Sequence, residues 1–206
     1  MNLVSLALFT VVALRSPSAA AIRYRITPDP KTSTWHVEMS IPSPPSPPFE
    51  LWVPRGTPGA YHLAEFGELV EDLEAKNADG KALKVEEIDD PIRWRIDPAG
   101  AKGIEVRYQA KDASQGPIPT GRLILDMEAN RIRKDFAYLT PASLLAFIPE
   151  LRDQPAEVEL VLPEGWKVAT ALARNEAGRF TAPSWYRLED SPFLMGPALV
   201  TSEFKV

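Results

Sequence analysis

Alternation of apolar and polar positions dominates this chain. Ile22-Arg23-Tyr24-Arg25-Ile26 alternates apolar with basic residues, and from Trp35 to Ile41 the residues Trp35, Val37, Met39 and Ile41 share one side while His36, Glu38 and Ser40 share the other. A period of two marks a strand with one buried face. The same period recurs in Ile92, Trp94 and Ile96 between two arginines, in Ile104, Val106 and Tyr108, and in Ala156 to Leu162. Shorter apolar runs at Leu123 to Leu125, Val168 to Leu172, Arg179 to Ala182 and Leu199 to Val206 predict further strands. Leu63, Phe66, Val70 and Leu73 recur at spacings near three and four, which predicts a short helical turn leading into a strand from about Val70. Ser184 to Glu189 reads as a second turn of helix, and Ala142 to Ile148 as an apolar stretch of about one turn.

Turn residues divide these runs. Asn77-Ala78-Asp79-Gly80-Lys81 predicts a hairpin joining the Val70 strand to a strand from Leu83 to Ile88. Asp89-Asp90-Pro91, Pro163-Glu164-Gly165 and Asp190-Ser191-Pro192 break the chain again, residues 111–121 read as loop, and Asp126 to Lys134 reads as a polar excursion. The 21 prolines are about twice the usual share, which favours short strands over helix bundles. The sum is an all-β, sandwich- or barrel-like domain of about ten short strands with one or two short helical turns. No internal repeat or interdomain linker interrupts it.

The stretch Leu51 to Phe66, LWVPRGTPGAYHLAEF, stands apart from the alternation. Pro54, Gly56, Pro58 and Gly59 steer the backbone through a specific corner, because proline fixes φ and glycine permits positive φ. Gly59, Tyr61 and His62 follow one another at its end. The corner reads first as a stiff turn with Tyr61 as a packing plug, and second as a docking or recognition loop on a rigid sheet.

Composition narrows the chemistry. A chain of 206 residues with 45% hydrophobic and 25% charged content can bury a real core. Its net charge of −5 lacks the basic footprint of a nucleic-acid binder. Cysteine is absent, so disulfides and thiolate metal sites are excluded. Only two histidines occur, His36 and His62, and neither begins an HExxH zinc motif. No GxSxG elbow and no phosphate-binding loop is found. The acidic run Glu86, Glu87, Asp89 and Asp90 lacks the ligand spacing and central glycine of a calcium loop, so it reads as a solvated hairpin end. The expectation is a non-enzyme with no cofactor, no metal site and no catalytic residue. Pro42 to Pro48 reads as a stiff polyproline-like loop.

Residues 1–21, MNLVSLALFTVVALRSPSAAA, read as a secretory signal peptide. The apolar run from Leu3 to Leu14 is too short to span a bilayer, and Ser18-Ala19-Ala20-Ala21 offers the small residues a signal peptidase accepts. Export to a periplasm or the extracellular space follows as an expectation, with residues 22–206 as the mature β domain and no stable membrane span after cleavage.

The order of the landmarks resembles a known family. LWVPRGTPGAY followed by LAEFGELVEDLEAKNADGKAL, the IRWRI strand, DFAYLTPASLLAFIPE, VELVLPEGWKVATAL and GRFTAPSWYRLEDSP together are similar to the N-terminal domain of the M61 peptidases, the glycyl aminopeptidase family, over roughly Tyr24 to Gly196. The resemblance implies an all-β domain that packs against a thermolysin-like zinc domain bearing HExxH. The sequence ends at Val206, about where that catalytic domain would begin, so no zinc ligand or catalytic glutamate of the family has a counterpart here. The PRGTPGAY corner is also longer than the family's more usual WxPGxY-like turn. What the resemblance implies is a non-catalytic accessory or interaction domain, partnered by a separately encoded peptidase-like chain. A fragment of a split or truncated zinc aminopeptidase and a carbohydrate- or peptide-binding module are the alternatives.

Overall fold

The structure, a computed structural model, describes residues 20–46, 48–56, 59, 64–89, 92–113, 129–200 and 202. Three sheets close around one hydrophobic core. The largest has six strands in the order β12-β10-β1-β2-β7-β4. These are β1 (Ile22–Asp29), β2 (Thr34–Ile41), β4 (Val70–Asn77), β7 (Ile104–Lys111), β10 (Ala156–Leu160) and β12 (Phe180–Ala182). Its one parallel pair is β1 with β10; the other neighbours are antiparallel. A three-stranded antiparallel sheet runs β3-β6-β5, from β3 (Phe49–Trp52), β5 (Val85–Asp89) and β6 (Ile92–Ile96). A four-stranded antiparallel sheet runs β11-β13-β9-β8, from β8 (Arg131–Ile132), β9 (Ala137–Leu139), β11 (Lys167–Ala169) and β13 (Phe193–Gly196).

The all-β reading holds, and the periodic strands lie where the alternation put them. Tyr24 and Ile26, Trp35 to Ile41 at every second position, and Ile104, Val106 and Tyr108 all turn inward. Among the described residues helix is confined to single turns: α1 (Trp185–Glu189) and three 3-10 turns at Phe66–Leu69, Pro141–Ser143 and Pro149–Leu151. The hydroxyl of Ser184 caps α1 by accepting from the Arg187 N–H.

The inner face of the large sheet is covered by the two small sheets and by the buried segment 141–148. Tyrosine side chains cross the core to hold that segment. The Tyr24 hydroxyl donates to the Ala146 carbonyl at 2.9 Å. The Tyr108 hydroxyl donates to the Leu144 carbonyl at 3.0 Å and accepts the Ala146 N–H at 2.9 Å. Burial pushes both phenols well above their ordinary pKa, and Tyr24 is raised further by the neighbouring Tyr108.

Three expectations need correction. The turn at 77–81 forms, but the returning chain meets β4 only ahead of β5, through the Lys76–Ala82 bridge and the Leu83 N–H donating to the Ala75 carbonyl. Beyond it β5 crosses to the small sheet, where Val85 sits opposite the fully buried Ile96 and reaches the core. The segment Asp126 to Lys134 is not a polar excursion where it is described: Asn130 and Arg131 are buried and β8 begins at Arg131. Finally, Leu199 and Val200 form no strand. The last strand among the described residues is β13, ended by Gly196 and by Pro197, which has no N–H to continue a ladder, and residues 201 and 203–206 of the expected strand lie outside the described residues. Gly196 itself is demanded by crowding, since a Cβ there would sit 2.8 Å from the Asp135 carbonyl oxygen. The strand expected at Leu123 to Leu125 and the signal segment 1–19 lie outside the described residues. No helix among the described residues is long and apolar enough to cross a membrane.

Candidate functional site

The corner after β3 is fastened at both ends. Trp52 and Phe147 exchange backbone hydrogen bonds at 2.9 and 2.7 Å, and the Ala64 N–H donates to the Arg55 carbonyl at 2.7 Å, closing the loop. Arg55 and Glu65 form an ion pair across the same neck. Phe147 in turn stacks on Trp185, with ring centroids 4.8 Å apart. Gly59 adopts φ +84, a conformation that favours glycine. A Cβ there would meet nothing within 4 Å, so the backbone conformation rather than crowding explains the residue. Tyr61 and His62 lie outside the described residues.

His36 is exposed on β2, and among the described residues no group of three or more His, Cys, Asp or Glu side chains converges to hold an ion. The tryptophans offer no flat sugar-binding row either. Trp35, Trp94 and Trp185 are buried, and the Arg93 guanidinium lies over the ring of Trp52.

Sequence reasoning missed a buried carboxylate. Asp112, just past β7, is fully buried; its Oδ2 accepts the Ile132 N–H at 2.5 Å and Arg133 Nη1 at 2.8 Å. Arg131 Nη1 lies 3.7 Å from Oδ1. The Asp112 N–H donates to the Ser33 carbonyl, so this one residue joins the β1–β2 turn to β8. A single aspartate in a Gly- and Ser-rich stretch carries no periodic signal that could have marked it.

The outer surfaces of the two larger sheets differ in character. On the six-stranded sheet, charges alternate in sign from strand to strand. Arg25 meets Glu159 at 3.5 Å on one side and Glu38 at 3.1 Å on the other, and Arg107 meets Glu38 at 3.4 Å. Glu74 stands opposite Arg107, and the nearby Lys76 ammonium and Arg107 hold its carboxyl below the usual value. One register row away, Arg23 pairs with Glu157 at 3.4 Å, and the Ser40 hydroxyl donates to Glu105 at 2.6 Å. Arg179 bridges Glu157 and Glu159 at the edge. Desolvating such a face would be costly, and the core of an interface is depleted in charge.

The four-stranded sheet carries fewer charges outward, with Lys167 opposite Gly196 and Arg133 at the β8–β9 turn, and the outward side chain at the middle of β13 is apolar. Leu194 points outward and is 44% exposed, between Ala169 on β11 and Tyr138 on β9. Its neighbours Phe193 and Met195 are fully buried. Phe136, 41% exposed, sits in the β8–β9 turn, whose backbone packs on Gly196. Leu194, Phe136 and the half-buried Tyr138 thus form an apolar outward patch at the end of β13.

Comparison with known proteins places this geometry. An aminopeptidase N family protein from Idiomarina loihiensis superposes on 85% of the chain with a TM-score of 0.73 and 27% identity. The chain spans 29% of that protein's length. More distant likenesses are an M1 zinc metallopeptidase from Deinococcus radiodurans (TM-score 0.48, 11% identity, 87% of this chain and 42% of that one) and yeast LTA4 hydrolase in complex with Bestatin (TM-score 0.49, 10% identity, 87% and 28%). No match is found among curated proteins. The peptidase M61 N-terminal domain matches residues 23–197, from the start of β1 to the residue after β13. With nearly the whole β architecture inside that match, the chain belongs to the peptidase M61 N-terminal domain family.

Proposed function

We propose that this domain is an exported, non-catalytic partner of a zinc-peptidase catalytic unit, and that it docks through the outer face of its four-stranded sheet. The observation that carries the reading is where the apolar patch lies. The family match ends at residue 197, immediately after β13, and Leu194 of that strand is the centre of the patch. Whatever follows the domain in a longer family member therefore starts beside this face. In this chain the same patch would receive a separately encoded peptidase-like chain. The charge-laced face of the large sheet stays in solvent, and export rests on the apolar run and small-residue end of residues 1–21.

The test is affinity capture with the tagged full chain, expressed in its own host and recovered from the exported fraction, with bound chains identified by mass spectrometry. A chain bearing HExxH should co-purify with the wild type and be lost with Leu194→Glu, a substitution on a solvent-facing position. Capture of such a chain equally by both proteins, or of none by the wild type, would refute the docking face. The amino terminus of the recovered protein should begin at Ala21 or Ile22; a start at Met1 would refute export by cleavage.

A further inference from the structure

A groove of about 910 Å³ opens where the β1–β2 hairpin meets the β10–β11 connection. Its walls are Pro28 and Pro30 on one side and Leu162, Pro163 and Trp166 on the other. The volume is at the upper end of the range for ligand sites, enough for several residues of a peptide rather than one side chain. Proline walls are rigid before binding, which lowers the ordering cost of association. Trp166 is half-exposed and offers a broad apolar surface.

Charge at the rim selects the occupant. Lys31 and Lys134 line the groove, both exposed, and neither has an ion-pair partner among the described residues. This contrasts with the adjoining sheet, where Arg23, Arg25, Arg107 and Arg179 are all paired. Asp29, the carboxylate of the groove, stays ionised, so the rim carries two lysines against one acid. It accepts the Lys31 N–H and the Thr32 hydroxyl, each at 2.9 Å, and these bonds hold its pKa below the usual value. His36 completes the rim.

We infer that this groove binds an extended acidic peptide segment, with its carboxylates held by Lys31 and Lys134 and its apolar side chains packed on Trp166 and the proline walls. The inference does not rest on the docking face, since Leu194 and Phe136 do not line the groove.

A random decapeptide library displayed on phage and selected against the full chain tests it. Enriched sequences should carry Asp or Glu beside Phe, Leu or Pro, and the best peptide, synthesised and titrated by fluorescence anisotropy, should bind more weakly at high salt. Lys31→Glu and Lys134→Glu should each weaken it roughly tenfold at low salt, since each reversal replaces an attraction by a repulsion. A peptide with lysines in place of its acids should recover affinity for the Lys31→Glu/Lys134→Glu double variant. Both lysines are solvent-exposed, so these variants should keep the wild-type melting temperature even if Trp166→Ala does not. No enrichment over the starting library, a basic consensus, or unchanged binding by the two lysine variants would each overturn the inference.

Discussion

Replacing Tyr108 by phenylalanine removes one oxygen atom and strands two backbone groups. The hydroxyl donates to the Leu144 carbonyl and accepts the Ala146 N–H, and both residues are buried in the covering segment 141–148. Phenylalanine fills the same volume, so no cavity is created and the cost is that of unsatisfied polar groups. Each buried group left without a partner costs about 1–3 kcal/mol, which gives roughly 2–6 kcal/mol for Tyr108→Phe. Tyr24→Phe strands only the Ala146 carbonyl and should cost about 1–3 kcal/mol. For a domain of this size the larger value corresponds to a fall in melting temperature of roughly 5–20 °C. Urea unfolding followed by tryptophan fluorescence measures both variants, with an unchanged slope showing that the compactness of the states is preserved. A Tyr108→Phe loss below about 1 kcal/mol, or one no greater than that of Tyr24→Phe, would refute the claim that this hydroxyl holds the segment.

Two further outcomes follow from buried polar groups. Asp112→Ala removes the acceptor of the Ile132 N–H and the buried counter-charge shared by Arg131 and Arg133, and should destabilise the domain by about 3–5 kcal/mol in the same assay; a loss under about 1 kcal/mol would show that water replaces the carboxylate without penalty. Alkaline pH should also unfold the domain. Tyr24 and Tyr108 titrate above their unfolded value of about 10, so the folded state retains protons that the unfolded state has lost, and their contribution is full below pH ~10 and falls as pH rises through the folded values. The two together steepen the decline by up to about 2.7 kcal/mol per pH unit, and a Tyr24→Phe/Tyr108→Phe variant should lack that component; equal slopes would contradict it.

The strands legible in the sequence are those long enough to show a period and buried on one face only. β1 and β2 have eight residues each, and their alternation is matched residue by residue by burial. β11 and β12 are only three residues each but fall on short apolar runs that already read as strands, whereas β8 and β9, of two and three residues, show no period, and their place is set by partners far away in the chain. Gly67 illustrates the same limit. Read locally it weakens a helix, whereas in the structure a Cβ there would lie 2.9 Å from the Ile92 side chain, so glycine is required by a contact 25 positions downstream. Of the candidate site, the corner was visible as a cluster of prolines and glycines, because turn chemistry is local. The groove was not visible, because Pro28, Lys134 and Trp166 converge only through the pairing of β1 with β10 and the approach of the β8–β9 turn.

β13 was missed for a different reason, and the reason bears on function. Phe193-Leu194-Met195-Gly196 is apolar at consecutive positions, so the period of two is erased and the segment does not read as a half-solvated strand. Continuous apolar runs are what a strand covered on both faces requires. Inside the domain β13 is covered on one face only, which leaves Leu194 outward with the sequence signature of a buried residue. A lone exposed leucine would call for no explanation. Leu194 is not alone, because the β8–β9 turn bearing Phe136 packs on Gly196 and Tyr138 stands opposite Leu194 in register. The outer face of the large sheet is polar, with arginine and glutamate at successive strands in one row. The apolar Leu194 departs from that polar pattern, and it is the feature on which the docking proposal stands.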